Sequence, residues 1–361
     1  MRSKDHLVFF VIAAFLSAGL IAIDAAWPAA FAVFIAVAGV VGAVIVLYEV
    51  RLTKQIAQAE FIRDLQSGFT SDPNICEIWR KLLLKEEIRA SDRPLVSSYL
   101  TFFETLHLLL SRGTLELPLV DDLFRNRFFT AIGNKGILST ALIAEAGKFA
   151  NIHNLISVWH DHLLDNGIPI HASYYPYIQA ITEAKGYEVL RLGPGDQGAL
   201  RDLQVLVLDA MDEKAWLREN TEDALLECVA DHVTLGVRKD GDLVAAAVLF
   251  DGTATAENIR DTYAPDAAIN PLNSVNLKLV MVAPHHRGAG LARTLVELLE
   301  KHAIDAGKTE ILCTIHPRNA SSKSLFGMLG YRRLKRGVVT GYGRRDVFVR
   351  TLPSLNSGWA R

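Results

Sequence analysis

Residues 280–292 read Val-Met-Val-Ala-Pro-His-His-Arg-Gly-Ala-Gly-Leu-Ala, which indicates a strand, a turn and a glycine-rich entry into a helix. Glycine lets the backbone approach a ligand closely, and free N–H groups at the start of a helix bind phosphate oxygens. No Lys-Ser or Lys-Thr pair follows, which excludes a Walker-type loop, and the spacing is not Gly-x-Gly-x-x-Gly, which disfavours a dinucleotide-binding fold. The stretch therefore predicts a cradle for an anionic ligand.

The sequence around this stretch alternates between strand and helix patterns. We predict strands at residues 188–192, 232–237, 243–250, 275–282 and 310–315, one or two strands within residues 338–351, and helices at residues 197–211, 221–230, 288–306 and 319–329. The Lys-Asp-Gly-Asp stretch at residues 239–242 indicates a hairpin, and residues 252–272 read as a loop. This order places the anion cradle between a long strand and the helix that follows it.

Two motifs in this region resemble those of the GNAT acyltransferase superfamily. Residues 285–290, His-His-Arg-Gly-Ala-Gly, resemble the family's Arg/Gln-x-x-Gly-x-Gly/Ala motif after its fourth strand, with His where Arg or Gln is usual. Asn319, Ser-Leu-Phe at residues 324–326 and Leu-Gly-Tyr at residues 329–331 are similar to the family's second signature. The resemblance covers about residues 187–352 and implies a mixed, mostly antiparallel central sheet flanked by helices.

The resemblance also implies acetyl-CoA as the co-substrate. Family members bind acyl-CoA where the fourth and fifth strands splay apart, and an amine attacks the thioester directly in a ternary complex. Such an enzyme positions both partners, polarises the carbonyl with a backbone N–H and removes a proton from the ammonium. The residues implied to bind acyl-CoA are Val280, Met281 and Val282 along the pantetheine arm, Arg287, Gly288, Ala289, Gly290, Leu291 and Ala292 at the pyrophosphate, and Asn319 and Phe326 on the next helix.

The sequence does not determine which residues act as the general acid and the general base of this reaction. Many family members carry a Tyr that protonates the departing CoA thiolate, but Phe326 occupies that position here, and Phe cannot donate a proton. His316, at the end of the fifth strand, is a candidate base that acts through water, or a helix-entry histidine without a catalytic role. Tyr342, on the final hairpin, either lines the acceptor site or is a surface turn residue. His316 and Tyr342 are therefore the catalytic candidates.

The N-terminal sequence is strongly apolar. Residues 7–23 and 25–48 contain no charged residue, and only Asp24 separates the two runs. Since about 20 helical residues cross the hydrocarbon layer, we predict a hairpin of two transmembrane helices. A cleaved signal peptide in the first run and a buried soluble helix in the second are the alternatives.

The flanking charges predict how this hairpin is oriented in a lipid bilayer. The basic residues on its two sides are Arg2, Lys4, Arg51 and Lys54. Because positive charge favours the cytoplasmic side, we expect a multi-pass protein of the inner (cytoplasmic) membrane with both termini cytoplasmic.

Residues 49–164 have a helical pattern that turn-forming stretches interrupt at residues 71–74 and 91–94. Residues 99–104 and the helix after Gly113 resemble a helical domain of unknown function that follows membrane helices in some bacterial proteins. The predicted organisation is a transmembrane hairpin at residues 1–50, a helical domain at residues 51–170 and a GNAT N-acetyltransferase domain at residues 185–352, in an α+β fold class. Whether the chain forms a homo-oligomer through the membrane or helical segment is left open by the sequence.

Composition limits the other classes of function. The 361 residues carry a net charge of −2, so no basic excess is available for a nucleic-acid partner. Three scattered cysteines have neither metal-ligand spacing nor a disulfide framework, and His160 and His162 face different sides of a helix. We therefore expect no metal site and no nucleic-acid partner.

These observations predict a membrane-anchored N-acetyltransferase with its active site in the cytosol. The alternative is a non-catalytic acyl-CoA sensor, which Phe326 and the lack of an evident base favour; no residue selects a toxin or defence effector. The acceptor amine is not determined by the sequence. Glu257, Asp261 and Asp266, in the loop at residues 252–272, suit a cationic amine or are solvated loop charges.

Overall fold

The computed structural model describes residues 28–252 and 259–352. The chain divides into two compact units, Met1–Gly68 and Phe69–Arg361, which are described separately. The domain boundaries expected at residues 1–50, 51–170 and 185–352 stay a prediction.

Helix α1 (Pro28–Ser71) is a continuous helix of 44 residues. Charged residues recur in it from Glu49 onward, so its apolar part passes directly into a charged helical sequence. Of the helices in residues 28–252 and 259–352, none combines the length and the apolar character needed to cross a membrane. The predicted transmembrane helix at residues 25–48 is therefore wrong, and so are the hairpin and the multi-pass inner-membrane location. The other predicted helix, at residues 7–23, lies outside the described residues.

The N-terminal part of the second unit is all helical, which confirms the prediction for the middle of the chain. Its helices are α2 (Pro73–Leu83), α3 (Arg93–Ser111), α4 (Leu117–Ile132), α5 (Ala150–Asp165) and α6 (Tyr174–Ala184), with short helical turns at Lys135–Ile137 and Leu138–Leu142. The break predicted at residues 71–74 is also confirmed. The Asp72 side chain accepts hydrogen bonds from the N–H groups of Asn74 and Ile75 and so caps α2.

Aromatic side chains fill the core between these helices. Phe128 stacks on Trp159 with ring centroids 5.0 Å apart, and Phe103 and Phe124 are fully buried beside them. The Trp159 indole N–H donates a 2.6 Å hydrogen bond to Asp121 Oδ1. The polar atom of this buried ring is therefore paired, as a packed core requires.

The C-terminal part of the unit is a seven-stranded sheet flanked by helices. The strands are β1 (Glu188–Arg191), β2 (Val233–Lys239), β3 (Asp242–Phe250), β4 (Ser274–Val282), β5 (Glu310–Ile315), β6 (Arg332–Thr340) and β7 (Gly343–Thr351). The helices are α7 (Gln197–Asp209), α8 (Glu222–Ala230), α9 (Ile259–Tyr263), α10 (Leu291–Asp305) and α11 (Ala320–Met328). The strand order is β1-β2-β3-β4-β5-β7-β6, and β4 and β5 are its parallel pair. The mixed, mostly antiparallel sheet is confirmed.

The β2–β3 hairpin turns where the sequence predicts it. Asp240 and Gly241 have φ angles of 53° and 93°, and Lys239 pairs with Asp242 on either side of them. Two consecutive residues with positive φ are typical of the tight turn whose twist matches the flanking strands. The following strand, β3, is buried from residue 243 to residue 250 and lies inside the sheet between β2 and β4.

A buried polar cluster joins the helical part to α10. Glu297 accepts hydrogen bonds from the Tyr174 hydroxyl at 3.1 Å and from Arg293 Nε at 2.9 Å. His160 contacts both Glu297 and Arg293: its Nε2 is 3.3 Å from Glu297 Oε1, and its Nδ1 is 3.2 Å from Arg293 Nη2. Burial raises the pKa of Glu297 to about 7 and lowers the pKa of His160 to about 3. Because buried ionisable groups need such partners, the cluster ties the helical part to the sheet module.

Candidate active site

Strands β4 and β5 pair only over their first residues, Ser274–Asn276 with Glu310–Leu312. Beyond Asn276 they diverge, and a cavity of about 220 Å³ lies between them. Its walls include residues 277–280 of β4, Thr314 and Ile315 of β5, and Phe326 of α11. The divergence therefore opens the gap in which the resemblance implies acyl-CoA binding.

Strand β4 carries a bulge beside this cavity. Ala246 of β3 is opposite Met281, whereas Val248 is opposite Lys278, so β4 has one more residue than β3 between these pairs. Within this interval Leu279 adopts a left-handed φ of 51°. A bulge leaves one residue outside the ladder, so a backbone N–H of β4 is available to a carbonyl oxygen in the gap.

The predicted pantetheine-binding residues lie at the end of this strand. Met281 and Val282 pair with Ala246 and Ala245 on the β3 side. Strand β5 pairs with β4 only up to Asn276, so the other edge of residues 280–282 lies along the gap. An extended amide-containing ligand can pair with such an edge as a further strand would.

The glycine-rich loop leads from β4 into α10. Gly288 and Gly290 have φ angles of 81° and 86°, which favour glycine, and a Cβ at either position would meet no atom within 4 Å. Helix α10 begins at Leu291, so the N–H groups of its first turn lack intrahelical partners. Arg287 and Gly288 are exposed, and Ala289 and Ala292 are half-buried. The open loop, the positive φ angles and the helix start together form a site suited to a phosphate group.

Helix α11 contributes two of the predicted residues to the cavity wall. Asn319 caps this helix by accepting a 3.0 Å hydrogen bond from the Ser322 N–H. Phe326 is buried, and its ring packs edge-to-face against Tyr331 with centroids 4.9 Å apart. A phenyl ring therefore occupies the position at which many GNAT family members carry a proton-donating Tyr.

Tyr342, on the turn between β6 and β7, also lines the cavity. Its hydroxyl lies 3.3 Å from Thr314 Oγ1, at the point where β5 leaves β4. Its ring lies beside two guanidinium groups, those of Arg218 at 5.2 Å and of Arg345 at 4.8 Å from the ring centroid. Of the two catalytic candidates, Tyr342 is the one whose side chain reaches the gap.

His316 lies just outside the cavity wall. Its Nδ1 accepts a hydrogen bond from the Arg318 N–H at 3.3 Å and is 4.0 Å from Glu213 Oε2. Burial, with the charge of Arg345 as the next cause, lowers the pKa of His316, so its neutral form persists to lower pH. A base at this position needs a water molecule between its ring and the amine.

The sequence reasoning missed the cationic and aromatic side of the cavity. The residues on this side are Trp216 and Arg218 before α8, Tyr263 at the end of α9 and Arg345 near the start of β7. They belong to no sequence motif, because each segment has the sequence of an ordinary loop, short helix or strand end. The one signal in the sequence that could have indicated them is that they lie next to predicted helices and strands.

The acidic residues expected near the acceptor do not line the cavity. Asp261 and Asp266 are exposed, and neither belongs to its wall. Glu257 lies outside the described residues. In the described part of the chain, no group of three or more metal-ligating side chains comes together.

Residues 201–331 match the sequence model of the Acetyltransferase (GNAT) family. No curated protein matches the chain. Among solved structures, an N-acetyltransferase from Staphylococcus aureus is 15% identical, covers 46% of this chain and 99% of its own, and has a TM-score of 0.36. A protein from Salmonella typhimurium, whose structure holds its cofactor acetyl-CoA, is 19% identical, with coverages of 48% and 99% and a TM-score of 0.35.

Proposed function

We propose that the protein is an acyltransferase that uses acetyl-CoA and acetylates an amine by direct attack in a ternary complex. The match of residues 201–331 to the GNAT family model supports this proposal. The observation that carries this proposal is the cavity between the diverging strands β4 and β5. It lies between the edge suited to the pantetheine arm and the turn that carries Tyr342. The two substrates thus have separate approaches to one gap.

Acetyl-CoA binds along the free edge of β4 and over the glycine loop in this proposal. Residues 280–282 pair with the pantetheine amides, and the pyrophosphate accepts hydrogen bonds from N–H groups of residues 287–292. Asn319 and Phe326 border the arm from α11. A backbone N–H at the Leu279 bulge points to the thioester carbonyl and stabilises the oxyanion.

The reaction then proceeds through a tetrahedral intermediate. The neutral amine nitrogen attacks the thioester carbon, the carbon–sulfur bond breaks, and its electron pair leaves on the CoA sulfur. Before the attack, the ammonium loses one proton through water to His316. The Tyr342 hydroxyl donates a proton to the departing thiolate, and the second proton lost by the nitrogen of the intermediate returns to the Tyr342 oxygen. The products are an acetylated amine and CoA thiol.

The test is a thiol-release assay with purified protein, acetyl-CoA and a broad panel of amines, with mass spectrometry of the products. We expect release of CoA thiol that depends on the amine, together with an amine whose mass has increased by one acetyl group. Tight acetyl-CoA binding without acetyl transfer to any amine would contradict the proposal and favour the sensor alternative.

A further inference from the structure

Arg345 is a buried arginine whose side chain has no acidic partner in the described residues. It lies on β7, is 2% exposed and lines the cavity. Its guanidinium donates hydrogen bonds to the backbone carbonyls of Ala215 at 2.7 Å and Arg344 at 2.9 Å. Arg350 on the same strand, 8% exposed, is paired with the buried carboxylate of Glu300. Two buried arginines on one strand therefore differ in whether the fold supplies an anion.

A buried cation without a counter-charge is costly, because carbonyl groups satisfy its N–H groups but not its charge. Burial accordingly lowers the pKa of Arg345. Two of its five N–H groups are used by the two carbonyls, which leaves donors for a ligand. A guanidinium held in place at a cavity wall is well suited to a carboxylate or phosphate group.

A second cation lies on the same side of the cavity. Arg218 and Arg345 both lie beside the ring of Tyr342, and Lys278 of β4 also belongs to the wall. No aspartate or glutamate belongs to the wall in the described part of the chain. The described wall therefore carries basic and no acidic side chains, whereas the sequence offered acidic residues for a cationic acceptor.

The anion for this position is not the pyrophosphate of CoA. The predicted pyrophosphate site, residues 287–292, does not line the cavity, whereas Arg345 does. Arg345 follows the β6–β7 turn, and Arg218 precedes α8, so both belong to segments separate from the glycine loop. The group that meets Arg345 must come with the molecule that fills the cavity opposite CoA.

We propose that the acceptor carries an oxyanion group, carboxylate or phosphate, in addition to its amine, and that Arg345 and Arg218 bind this group beside Tyr342. This inference rests on the proposed amine acetylation. Binding the anionic group fixes the distance from the guanidinium groups to the amine, so these two arginines select the acceptor.

The experiment compares matched amines that differ only in the anionic group. The pairs are glycine with methylamine, phenylalanine with phenethylamine, and phosphoethanolamine with ethanolamine, each assayed for kcat/KM by thiol release from acetyl-CoA. The first two pairs test a carboxylate and the third tests a phosphate. The variants are Arg345→Gln and Arg218→Gln, with Arg344→Gln as a matched control at an exposed neighbour that does not line the cavity.

We expect the wild type to prefer the anionic member of at least one pair by about 10- to 100-fold, the range for a hydrogen bond to a charged group. Arg345→Gln and Arg218→Gln should lower that ratio about tenfold or more, while Arg344→Gln leaves it unchanged. Differences in amine basicity cancel, because each ratio is compared between variants. If melting curves show that Arg345→Gln does not fold, Arg218→Gln still tests the inference, because Arg218 is exposed.

A wild type that prefers the neutral amines, or a preference that survives both substitutions, would overturn the inference while amine acetylation stands. A binding measurement tests the inference even if no acetyl transfer is detected. N-acetylglycine and its neutral counterpart N-methylacetamide are titrated into the CoA complex, and the inference requires the anion to bind more tightly in the wild type and not in Arg345→Gln. Equal or absent binding overturns it, and absence of acetyl transfer to any amine contradicts the proposed function separately.

Discussion

The Tyr174 hydroxyl donates a hydrogen bond of 3.1 Å to Oε2 of Glu297, 123 residues further along the chain. Tyr174 belongs to α6 of the helical part, and Glu297 belongs to α10, which begins directly after the glycine loop. Arg293, in the first turn of α10, contacts the same carboxylate. The helical part therefore stabilises the helix whose N-terminus is the proposed pyrophosphate site.

Replacing Tyr174 by Phe should destabilise the protein by about 1–3 kcal/mol. The substitution keeps the ring but leaves Glu297 Oε2, which is buried, without its donor. The measurement is the free energy of unfolding from denaturant titration. Tyr175→Phe is the matched control, because Tyr175 is buried on the same helix and makes no hydrogen bond through its hydroxyl within the described residues. Equal losses in the two variants would contradict a specific role for the Tyr174–Glu297 bond.

The free energy of unfolding should decrease as the pH falls from about 6.5 toward about 4. Burial lowers the pKa of His160 to about 3 and that of His171 to about 4, so in this window the unfolded chain binds more protons at these sites than the folded protein. One such proton changes stability by about 1.4 kcal/mol per pH unit. Glu297 acts in the opposite direction: its pKa is raised to about 7, so the folded state gains stability from its protonation as the pH falls to about 4.5. Burial also lowers the pKa values of His153, His302 and His316 and raises those of Glu104, Asp161 and Glu300. Five histidines therefore oppose four carboxyls, which leaves a net loss of stability on acidification.

A variant series isolates the contribution of His160 to this pH dependence. The stability advantage of the wild type over His160→Gln should shrink as the pH falls, because Gln has no proton to bind. His162→Gln, at a less buried position on the same helix, is the matched control. A constant difference between the wild type and His160→Gln across this pH range would show that burial does not suppress the protonation of His160.

Local patterns predicted the elements that local sequence determines. The hairpin at Asp240 and Gly241 and the cap at Asp72 depend on a few adjacent residues, so spacing and residue type suffice. The transmembrane prediction was wrong. It depended on the length of the uncharged runs, and no helix in the part of the chain that the structure describes is both long enough and apolar enough to cross a membrane.

Long-range contacts were beyond the sequence. Glu297 and His160 lie in amphipathic helical patterns in which a charged residue normally indicates a solvated face, yet both are buried against each other. The same holds for Arg345, because its burial and its lack of an acidic partner follow from how β7, the β6–β7 turn and the connection at Ala215 meet. The open backbone of the glycine loop was predictable because it depends only on adjacent residues.

Tyr342→Phe should lower kcat for acetyl transfer by about a hundredfold or more, with little change in the KM for acetyl-CoA. The substitution keeps the ring beside Arg218 and Arg345 but removes the hydroxyl that is proposed to protonate the thiolate. His316→Asn should have the smaller effect, under tenfold, because His316 lies outside the cavity wall and acts only through water. Steady-state kinetics with saturating acceptor measure both. A larger loss of kcat in His316→Asn than in Tyr342→Phe would reverse the assigned roles.

Gly290→Asp should weaken acetyl-CoA binding by about a hundredfold, or about 2.7 kcal/mol at 1.4 kcal/mol per decade. Gly290 has a φ of 86°, a region that Asp and Asn tolerate better than other side chains, and a Cβ there meets no atom within 4 Å. The fold should therefore survive, and a carboxylate at the start of α10 interacts favourably with the helix dipole. The same carboxylate occupies the position proposed for the pyrophosphate and repels it, so the ligand loses what the helix end gains. Calorimetric titration of acetyl-CoA measures the effect, and Gly290→Asn separates charge from backbone strain because it is neutral and similar in size. Unchanged affinity in a folded Gly290→Asp protein would show that this loop does not bind the pyrophosphate.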